Sequence, residues 1–251
     1  MNKKVPIVII FMLLLLIGLL LVFFKDDIKK EENSINKESY LVIDNDTIWS
    51  YSDNWNKAYY SDVNNKNMEV YINYSYMGNL TLKYGNTWNL FSNGNYISYV
   101  GKLFAISDNF VNLVNFDDFF VDNNDLQVIN NLLKLNLNLE DISLSEKISV
   151  DLNNDGYKDS VVYASNLNTD GVDSYFNLVY TSINDKVNVL ISDTYESSYY
   201  YNAPLYEINY IIDINDKKNI ILSKGYFSDA GVSGNMMYEL IDGKYKLVIE
   251  D

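Results

Sequence analysis

The sequence predicts a mainly β protein with an N-terminal transmembrane helix, and three observations support this prediction. First, one uninterrupted apolar run lies near the start of the chain. Second, the remainder consists of short β-branched and aromatic runs separated by clusters of Asn, Asp, Gly and Ser, which is the pattern of strands and turns. Third, a single stretch has the apolar spacing of an amphipathic helix.

The apolar run covers residues 5–24, carries no charge and follows Lys3 and Lys4. Twenty helical residues, at about 1.5 Å each, span the roughly 30 Å hydrocarbon core of a bilayer. A cleaved signal peptide is the competing interpretation, but its apolar region has about 7–15 residues and ends at a small-residue cleavage site. We therefore predict an uncleaved signal anchor over residues 5–24, preceded by a cytoplasmic tail of residues 1–4.

Residues 25–39 are polar and charged throughout, which predicts a charged, mobile stalk after the membrane. Lysines flank the apolar run on both sides, so the positive-inside rule alone does not fix its orientation. A long region that follows an N-terminal anchor is commonly translocated. The sequence thus predicts a single-pass protein of the cell membrane whose C-terminal region is extracytoplasmic.

Residues 40–140 are predicted to form a β-rich domain that ends in a helix. We expect strands at residues 41–43, 69–72, 80–82 and 103–106, and a hairpin turn at Ser92-Asn93-Gly94. The apolar residues that would share one helical face are Leu126, Ile129, Leu132 and Leu133. They predict one amphipathic helix from Leu126 to Lys134, capped by Asn124-Asp125 and followed by an alternating or extended segment. Trp49, Trp55 and Trp88 either form a stacking platform for sugars or fill the faces of a sheet.

Residues 141–251 are predicted to form a second domain, a small twisted sheet or sandwich. We expect strands at residues 160–165, 175–183, 187–192, 207–213, 219–224, 236–241 and 245–249. Asn184-Asp185-Lys186 and Asp242-Gly243 are expected to be turns. These strands are too few for a propeller, which needs about four or more blades.

Nine residues within this domain, Asp151 to Asp159 (DLNNDGYKD), have the oxygen spacing of a calcium-binding loop. Calcium takes six to eight oxygens, and a tight loop supplies them from alternating side chains and one backbone carbonyl. The predicted ligands are the side chains of Asp151, Asn153, Asp155 and Asp159 and the backbone of Tyr157. Gly156 permits the turn. The competing interpretation is an Asx-stabilised turn between two strands.

The loop is not an EF-hand, which needs a bidentate Glu at its twelfth position, where this chain has Val162. A D-x-N-x-D-G-x-x-D loop followed by Ser-Val-Val-Tyr resembles instead the calcium loops of FG-GAP and VCBS-type repeats. These repeats occur in integrin-like propellers and bacterial surface proteins, and the resemblance covers about residues 147–166. It implies one bound Ca²⁺. Residues 213–222 resemble a second copy that lacks the glycine and two residues of spacing.

The composition excludes several classes of chemistry. Cys, His and Arg are absent, and all 19 basic residues are Lys. Neither a Cys–His nor a Ser–His–Asp catalytic centre can form, nor can a zinc site with thiolate or imidazole ligands. The formal net charge of −15 disfavours nucleic acids and anionic wall polymers as partners.

The anchor and the loop together predict a membrane-anchored, extracytoplasmic calcium-binding structural or interaction module. Its expected partners are the membrane, through the N-terminal helix, and an envelope protein or a neutral glycan. The first alternative is a carbohydrate- or cell-wall-binding module that uses Tyr and Trp. The second is a carboxylate-based glycosidase. No residue is predicted to be catalytic, and the chain is not expected to be an enzyme.

Overall fold

The computed structural model describes residues 38–44, 46–107, 111–167, 174–196, 203–226 and 229–251. The predicted cytoplasmic tail, the anchor over residues 5–24 and residues 25–37 of the predicted stalk lie outside the described residues. Across the described ranges, no helix is long and apolar enough to cross a membrane. The chain divides into two compact units, of which Tyr40–Ser50 together with Trp55–Asp251 contains most of the described residues. Of the other unit, the structure describes Glu38, Ser39 and Tyr51–Asn54.

The expectation of a mainly β fold is confirmed, since strands make up 61% of the structure and form three sheets. The first sheet has eight strands in the order β3-β2-β1-β8-β4-β5-β6-β7. They are β1 (Ser39–Ile43), β2 (Thr47–Tyr51), β3 (Trp55–Lys57), β4 (Asn67–Ile72), β5 (Ser75–Tyr84), β6 (Trp88–Ser92), β7 (Asn95–Ile97) and β8 (Leu103–Ile106). A short helix, α1 (Tyr60–Val63), lies between β3 and β4. All four strands expected in this region are present.

The second and third sheets have five strands each. The second has the order β10-β11-β12-β13-β14, and the third has the order β18-β17-β16-β15-β9. The second contains β10 (Asp117–Phe119), β11 (Leu144–Val150), β12 (Asp159–Ser165), β13 (Ser174–Ile183) and β14 (Lys186–Glu196). The third contains β9 (Val111–Leu113), β15 (Pro204–Ile214), β16 (Lys217–Tyr226), β17 (Asp229–Ile241) and β18 (Lys244–Glu250). The seven strands expected after residue 141 are confirmed, as is the turn at Asn184-Asp185, where both residues have positive φ.

The three sheets are stacked in layers around separate apolar clusters. One cluster lies between the second and third sheets and contains Val161, Val179, Ile208 and Leu222. The other face of the third sheet packs on the eight-stranded sheet through residues such as Ile212 and Phe104. The remaining face of the eight-stranded sheet has its own cluster, which includes Val63 of α1. Most of the long strands thus bury one face, whereas Ile191 is the only buried side chain among residues 186–195 of β14.

The predicted amphipathic helix is present as α2 (Asn123–Leu133), with its own cluster on the outer face of the second sheet. It begins three residues earlier than expected, and the predicted cap at Asn124-Asp125 is wrong. Asp122 is the N-cap, because its carboxylate accepts hydrogen bonds from the backbone N–H groups of Asn124 and Asp125. Asp125 bonds back to the N–H of Asp122, which completes a capping box. Lys134, in a left-handed conformation, ends the helix.

Strand pairing runs across residue 140, where the sequence predicts a domain boundary. β9 pairs with β15, and β10 pairs with β11. The eight-stranded sheet ends with β8, so the two five-stranded sheets draw on residues from Val111 onward. A 3-10 helix, Leu139–Asp141, lies at the predicted boundary and leads into β11.

Two of the three tryptophans fill the core. Trp49 and Trp88 are fully buried, on opposite faces of the eight-stranded sheet. Trp55 is half-buried and packs edge-on against Trp49, with ring centroids 6.3 Å apart. The indoles therefore belong to the packing of the sheet, and any exposed aromatic surface must come from Tyr and Phe.

Candidate metal site

The predicted calcium loop connects two strands that pair along their whole length. β11 and β12 are antiparallel, from Leu144 opposite Ser165 to Val150 opposite Asp159. The loop therefore closes between two ends that directly opposed strand residues hold close together. Asp159, the last predicted ligand, is also the first residue of β12. This arrangement fixes the ends of the loop and leaves Asp151 to Lys158 to wrap around its centre.

Three predicted ligands converge inside the loop through bonds to the backbone. The N–H of Asp155 donates to Asp151 Oδ1 at 3.2 Å and to Asn153 Oδ1 at 3.1 Å. Gly156 N–H donates to Asp151 Oδ2 at 2.9 Å. Tyr157 N–H donates to Asp155 Oδ1 at 2.9 Å. The alternating side chains thus turn inward, and the loop gathers the oxygens of its first, third and fifth positions.

Two residues of the loop adopt left-handed backbone conformations. Asn154 has φ 60°, and Gly156 has φ +88°. Glycine adopts this region freely and Asn tolerates it, whereas most other residues are strained there. A Cβ at Gly156 would meet no atom within 4 Å, so the requirement for glycine comes from backbone conformation and not from lack of space.

Asp159 contributes a buried carboxylate on the inner side of the loop. Its side chain is only 6% exposed, and Oδ2 accepts the N–H of Leu152 at 3.0 Å. Burial raises the pKa of Asp159, and the negative charges of Asp155 and Asp151 raise it further. It is not bonded to the other predicted ligands, but the three carboxylates lie close enough to repel one another. A divalent cation bound by the loop would offset that repulsion.

Hydrogen bonds to the Asp155 carboxylate favour its ionised form. The N–H of Tyr157 is the main cause of the lowered pKa of Asp155, and the amides of Asn184 and Asn153 add to it. Asn184 Nδ2 donates to Asp155 Oδ2 at 2.9 Å, while Asn184 N–H lies 3.4 Å from Asp159 Oδ1. Asn184 belongs to the β13–β14 turn, so a neighbouring hairpin holds two of the predicted ligands at once.

The donor set matches the chemistry of calcium in part. Carboxylates, an amide oxygen and a backbone carbonyl are the hard oxygen ligands that Ca²⁺ prefers. Each carboxylate has about four lone-pair sites, so those that accept N–H groups can still bind a metal. Within the described ranges, however, no group of three or more acidic side chains forms an arrangement that could hold a metal ion. The fit therefore depends on Asn153 and on the backbone of Tyr157, whose side chain is 75% exposed.

Comparison with known proteins gives no match. No family model, no curated protein and no solved structure matches the chain. The resemblance to FG-GAP and VCBS-type loops therefore rests on residues 147–166 of the sequence.

The stretch that resembles a second calcium loop forms a tight hairpin turn. Asn215 and Asp216 both have positive φ and connect β15 directly to β16. Asp213 is paired with Lys218, whose ammonium donates to the Asp213 carboxylate and, at 2.9 Å, to Asn154 Oδ1. Lys218 is 9% exposed, so these partners compensate for the burial of its ammonium. The Asp213 carboxylate, which a second calcium loop would use as a ligand, is therefore paired with the Lys218 ammonium.

This hairpin also supports the first loop. Asn154 Nδ2 donates to the backbone carbonyl of Asp216 at 2.6 Å. Asn154 is thus bonded to both strands of the β15–β16 hairpin, through Lys218 and through the turn. In the sequence, Asn154 is only a spacer of the loop, and Asn184 is predicted as a turn residue without a role at the metal site. The antiparallel order of β11 to β14 was the available signal, because it places the loop after β11 and the turn after β13 at one end of the sheet.

A groove of about 400 Å³ adjoins the loop on the face of the second sheet that carries α2. Ser149, Ser160 and Ser182 lie directly opposite one another on β11, β12 and β13 and line its floor. Tyr157 and Asn184 line it on the side of the loop. The loop is therefore open to solvent along a polar surface.

A second polar cluster, which the sequence analysis missed, surrounds Glu146 of β11. Glu146 Oε2 accepts the N–H of Ile208 at 2.9 Å. Burial raises the pKa of Glu146 to about 7, and the charges of Glu207 and Asp118 add to the rise. Lys102 donates to the Glu207 carboxylate and, at 3.2 Å, to Asn209 Oδ1. The cluster connects β11, β15 and the segment before β8, so it joins residues from all three sheets.

Proposed function

We propose that this chain is a membrane-anchored, extracytoplasmic module in which residues 151–159 bind one calcium ion, in the manner of FG-GAP and VCBS-type loops. The observation that carries the proposal is the convergence of Asp151, Asn153 and Asp155 around the left-handed turn at Gly156. Asp159 supplies a third carboxylate whose raised pKa reflects both burial and its acidic neighbours. The proposed anchor is the apolar run over residues 5–24.

The proposed role of the ion is structural. The loop touches the β13–β14 hairpin through Asn184 and the β15–β16 hairpin through Asn154. Leu152, within the loop, is 1% exposed and belongs to the core between the second and third sheets. An ion that fixes the loop would stiffen its contacts with both hairpins. This supports a structural or interaction module over an enzyme.

Calcium is expected to bind weakly and to stabilise the fold. Loops of extracellular modules have dissociation constants of about 10⁻⁴–10⁻³ M. With a dissociation constant of about 10⁻⁴ M and a free calcium concentration of about 1 mM, binding raises the free energy of unfolding by roughly 1.4 kcal/mol. Melting curves of the full chain with calcium and with a chelator measure this gain, and titration calorimetry measures the affinity. Identical melting curves, or magnesium binding as tightly as calcium, would count against the site.

Asp155→Ala is expected to abolish calcium binding, because it removes a central ligand and leaves Asp151 and Asp159 repelling each other. The matched control is Asp117→Ala, which removes an exposed carboxylate that pairs with Lys158 beside the same loop. Calorimetry should give one ion per chain for the parent and for the control, and none for Asp155→Ala. Equal loss of calcium binding in both variants would show that the loop attracts calcium only through its overall negative charge.

Asp213→Ala is expected to leave the calcium count at one, because Lys218 already occupies that carboxylate. The same change should lower stability, since it leaves the buried ammonium of Lys218 with one partner fewer. Calcium titration and thermal melting of this variant separate the two effects. Two ions in the parent chain, or loss of the ion with Asp213→Ala, would overturn the assignment of the site to residues 151–159.

A further inference from the structure

One face of the eight-stranded sheet is only partly covered. The third sheet packs against β1, β2 and β8 through Leu41, Trp49 and Phe104, and the half-buried ring of Tyr71 on β4 lies at the edge of this contact. β5, β6 and β7 extend beyond that contact, and the side chains on this face of them are half-buried or exposed. We call the side chains of β4 to β7 on this side the open face. The opposite side of the same strands is a buried core that contains Met68, Leu82 and Leu90, so the open face is the solvent side of a well-packed layer.

Two aromatic pairs lie on the open face. Tyr96 of β7 is opposite Phe91 of β6, with ring centroids 5.8 Å apart. Tyr76 of β5 is opposite Tyr71 of β4, with ring centroids 5.2 Å apart. Tyr76 is 55% exposed and Tyr96 is 59% exposed. Each pair therefore presents one ring to solvent and supports it with a second, more buried ring.

The spacing of the two pairs follows from the strand register. Phe91 is opposite Thr81 of β5, and Thr81 is opposite Asn67 of β4. The Phe91–Tyr96 pair is therefore level with Asn67 across the sheet. Tyr71 lies four residues further along β4, which is about 13 Å at roughly 3.3 Å per residue. Tyr96 and Tyr76 are also two strands apart, which adds about 10 Å across the sheet. A ligand that contacts both exposed rings must therefore be an extended chain.

The surface between the pairs carries uncharged polar groups. Thr81 Oγ1 donates to Asn67 Oδ1 at 2.5 Å, and Asn79 lies opposite Glu69 in the next row. Amides and hydroxyls both donate and accept hydrogen bonds, as do the hydroxyls of a sugar. The apolar C–H face of a pyranose ring, in turn, stacks on an aromatic ring.

Charge narrows the class of ligand. The open face has one acidic side chain, Glu69, near its centre, and one basic side chain, Lys83, whose ammonium lies 4.5 Å from the centroid of the Phe91 ring. The two charges are equal in number, while the chain as a whole has a formal net charge of −15. A polyanion is repelled at long range and finds no basic patch on this face. The complementary ligand is neutral, polyhydroxylated and extended.

We propose that the open face of β4 to β7 binds a neutral, β-linked oligosaccharide, with Tyr76 and Tyr96 each stacking on a sugar ring. Equatorial β-linkages give a flat, extended ribbon that suits the face of a sheet. Asn67, Asn79 and Thr81 bond the hydroxyls of the ring units that lie between the two tyrosines. The proposal gives the module a ligand class and does not depend on the calcium loop, which lies on a different sheet.

The test is titration calorimetry of the full chain in a detergent without a sugar head group. The neutral probes are cellohexaose and N-acetylchitohexaose, and the anionic probe is polygalacturonate. At least one neutral probe is expected to bind. Tyr76→Ala and Tyr96→Ala should each weaken its binding about tenfold, as loss of one aromatic contact implies. The double variant should show no measurable binding, and polygalacturonate should not bind to any form of the chain.

Two controls make the result specific. Tyr59→Ala removes another exposed ring outside the open face and should leave the affinity unchanged. Asp155→Ala should also leave it unchanged, which separates the oligosaccharide site from the calcium loop. Light scattering of Tyr76→Ala and Tyr96→Ala is expected to match that of the parent chain.

Several outcomes would overturn the proposal. These are no binding of either neutral probe, equal weakening by Tyr59→Ala, and binding of polygalacturonate as tight as that of a neutral probe. If the Tyr76 and Tyr96 variants change self-association and leave oligosaccharide binding intact, the open face is an interface between copies of this chain.

Discussion

Leu152→Ala is expected to lower the free energy of unfolding by roughly 2–5 kcal/mol, the range for removal of a buried leucine side chain. Leu152 is a member of the predicted calcium loop, yet its side chain lies in the core between the second and third sheets. Its N–H also donates to Asp159 Oδ2 at 3.0 Å. The residue therefore fixes both the position of the loop and the orientation of one predicted ligand.

The same variant should weaken calcium binding, because a loop without its apolar anchor must be ordered before the ion can bind. Urea unfolding with calcium and with a chelator measures both effects on one protein. Leu247→Ala is the matched control, since Leu247 lies on β18 and is exposed. If Leu152→Ala costs no more stability than Leu247→Ala, the loop is not anchored in the core as described.

Glu146→Gln is expected to stabilise the protein at pH 8 by up to about 3 kcal/mol. Burial raises the pKa of Glu146 from 4.5 to about 7. The folded state therefore holds a proton between about pH 4.5 and pH 7 that the unfolded state has lost. The parent chain therefore loses stability as pH rises through this window, by about 1.4 kcal/mol per pH unit.

Glutamine removes the titration and keeps an oxygen to accept the N–H of Ile208. Below about pH 4.5 the variant and the parent should be equally stable, because Glu146 is then protonated in both states of the parent chain. Thermal melting at pH 4 and pH 8 tests the difference. Glu250→Gln is the control, since Glu250 is partly exposed, pairs with Lys224 and is not among the charges that raise the pKa of Glu146, and it should give no gain at pH 8. A gain from Glu146→Gln that is the same at both pH values would contradict this explanation.

Much of the sheet structure was predictable because the long strands have clear patterns. β15 and β16 contain runs of β-branched residues bounded by the Asn215-Asp216 turn, and both are present where expected. β9 and β10 were missed because three residues are too few to show an alternating pattern. β11 was missed because only Ile148 and Val150 of its seven residues are fully buried, and Ser, Lys and Glu interrupt the apolar pattern.

The candidate site was predictable only as far as its ligands are close in sequence. The spacing from Asp151 to Asp159 is visible in nine residues. The partners of these residues come from elsewhere in the chain: Asn184 lies 29 positions after Asp155, and Lys218 lies 64 positions after Asn154. Their roles depend on how the hairpins of the second and third sheets pack, which local spacing does not encode. The half-buried Glu146 was missed for the same reason, since its surroundings include Ile208 of β15, which lies far away in the sequence.

Most edges of the three sheets are short, which bears on how this chain could aggregate. Among the described strands, four of the six edge strands are only three residues long: β3, β7, β9 and β10. Each offers few unpaired N–H and C=O groups to an incoming strand, which limits edge-to-edge association. β14, with eleven residues, is the long exception. Any strand addition to the sheets of this protein is therefore expected to begin at β14, whose length offers the longest row of edge N–H and C=O groups among the described edge strands.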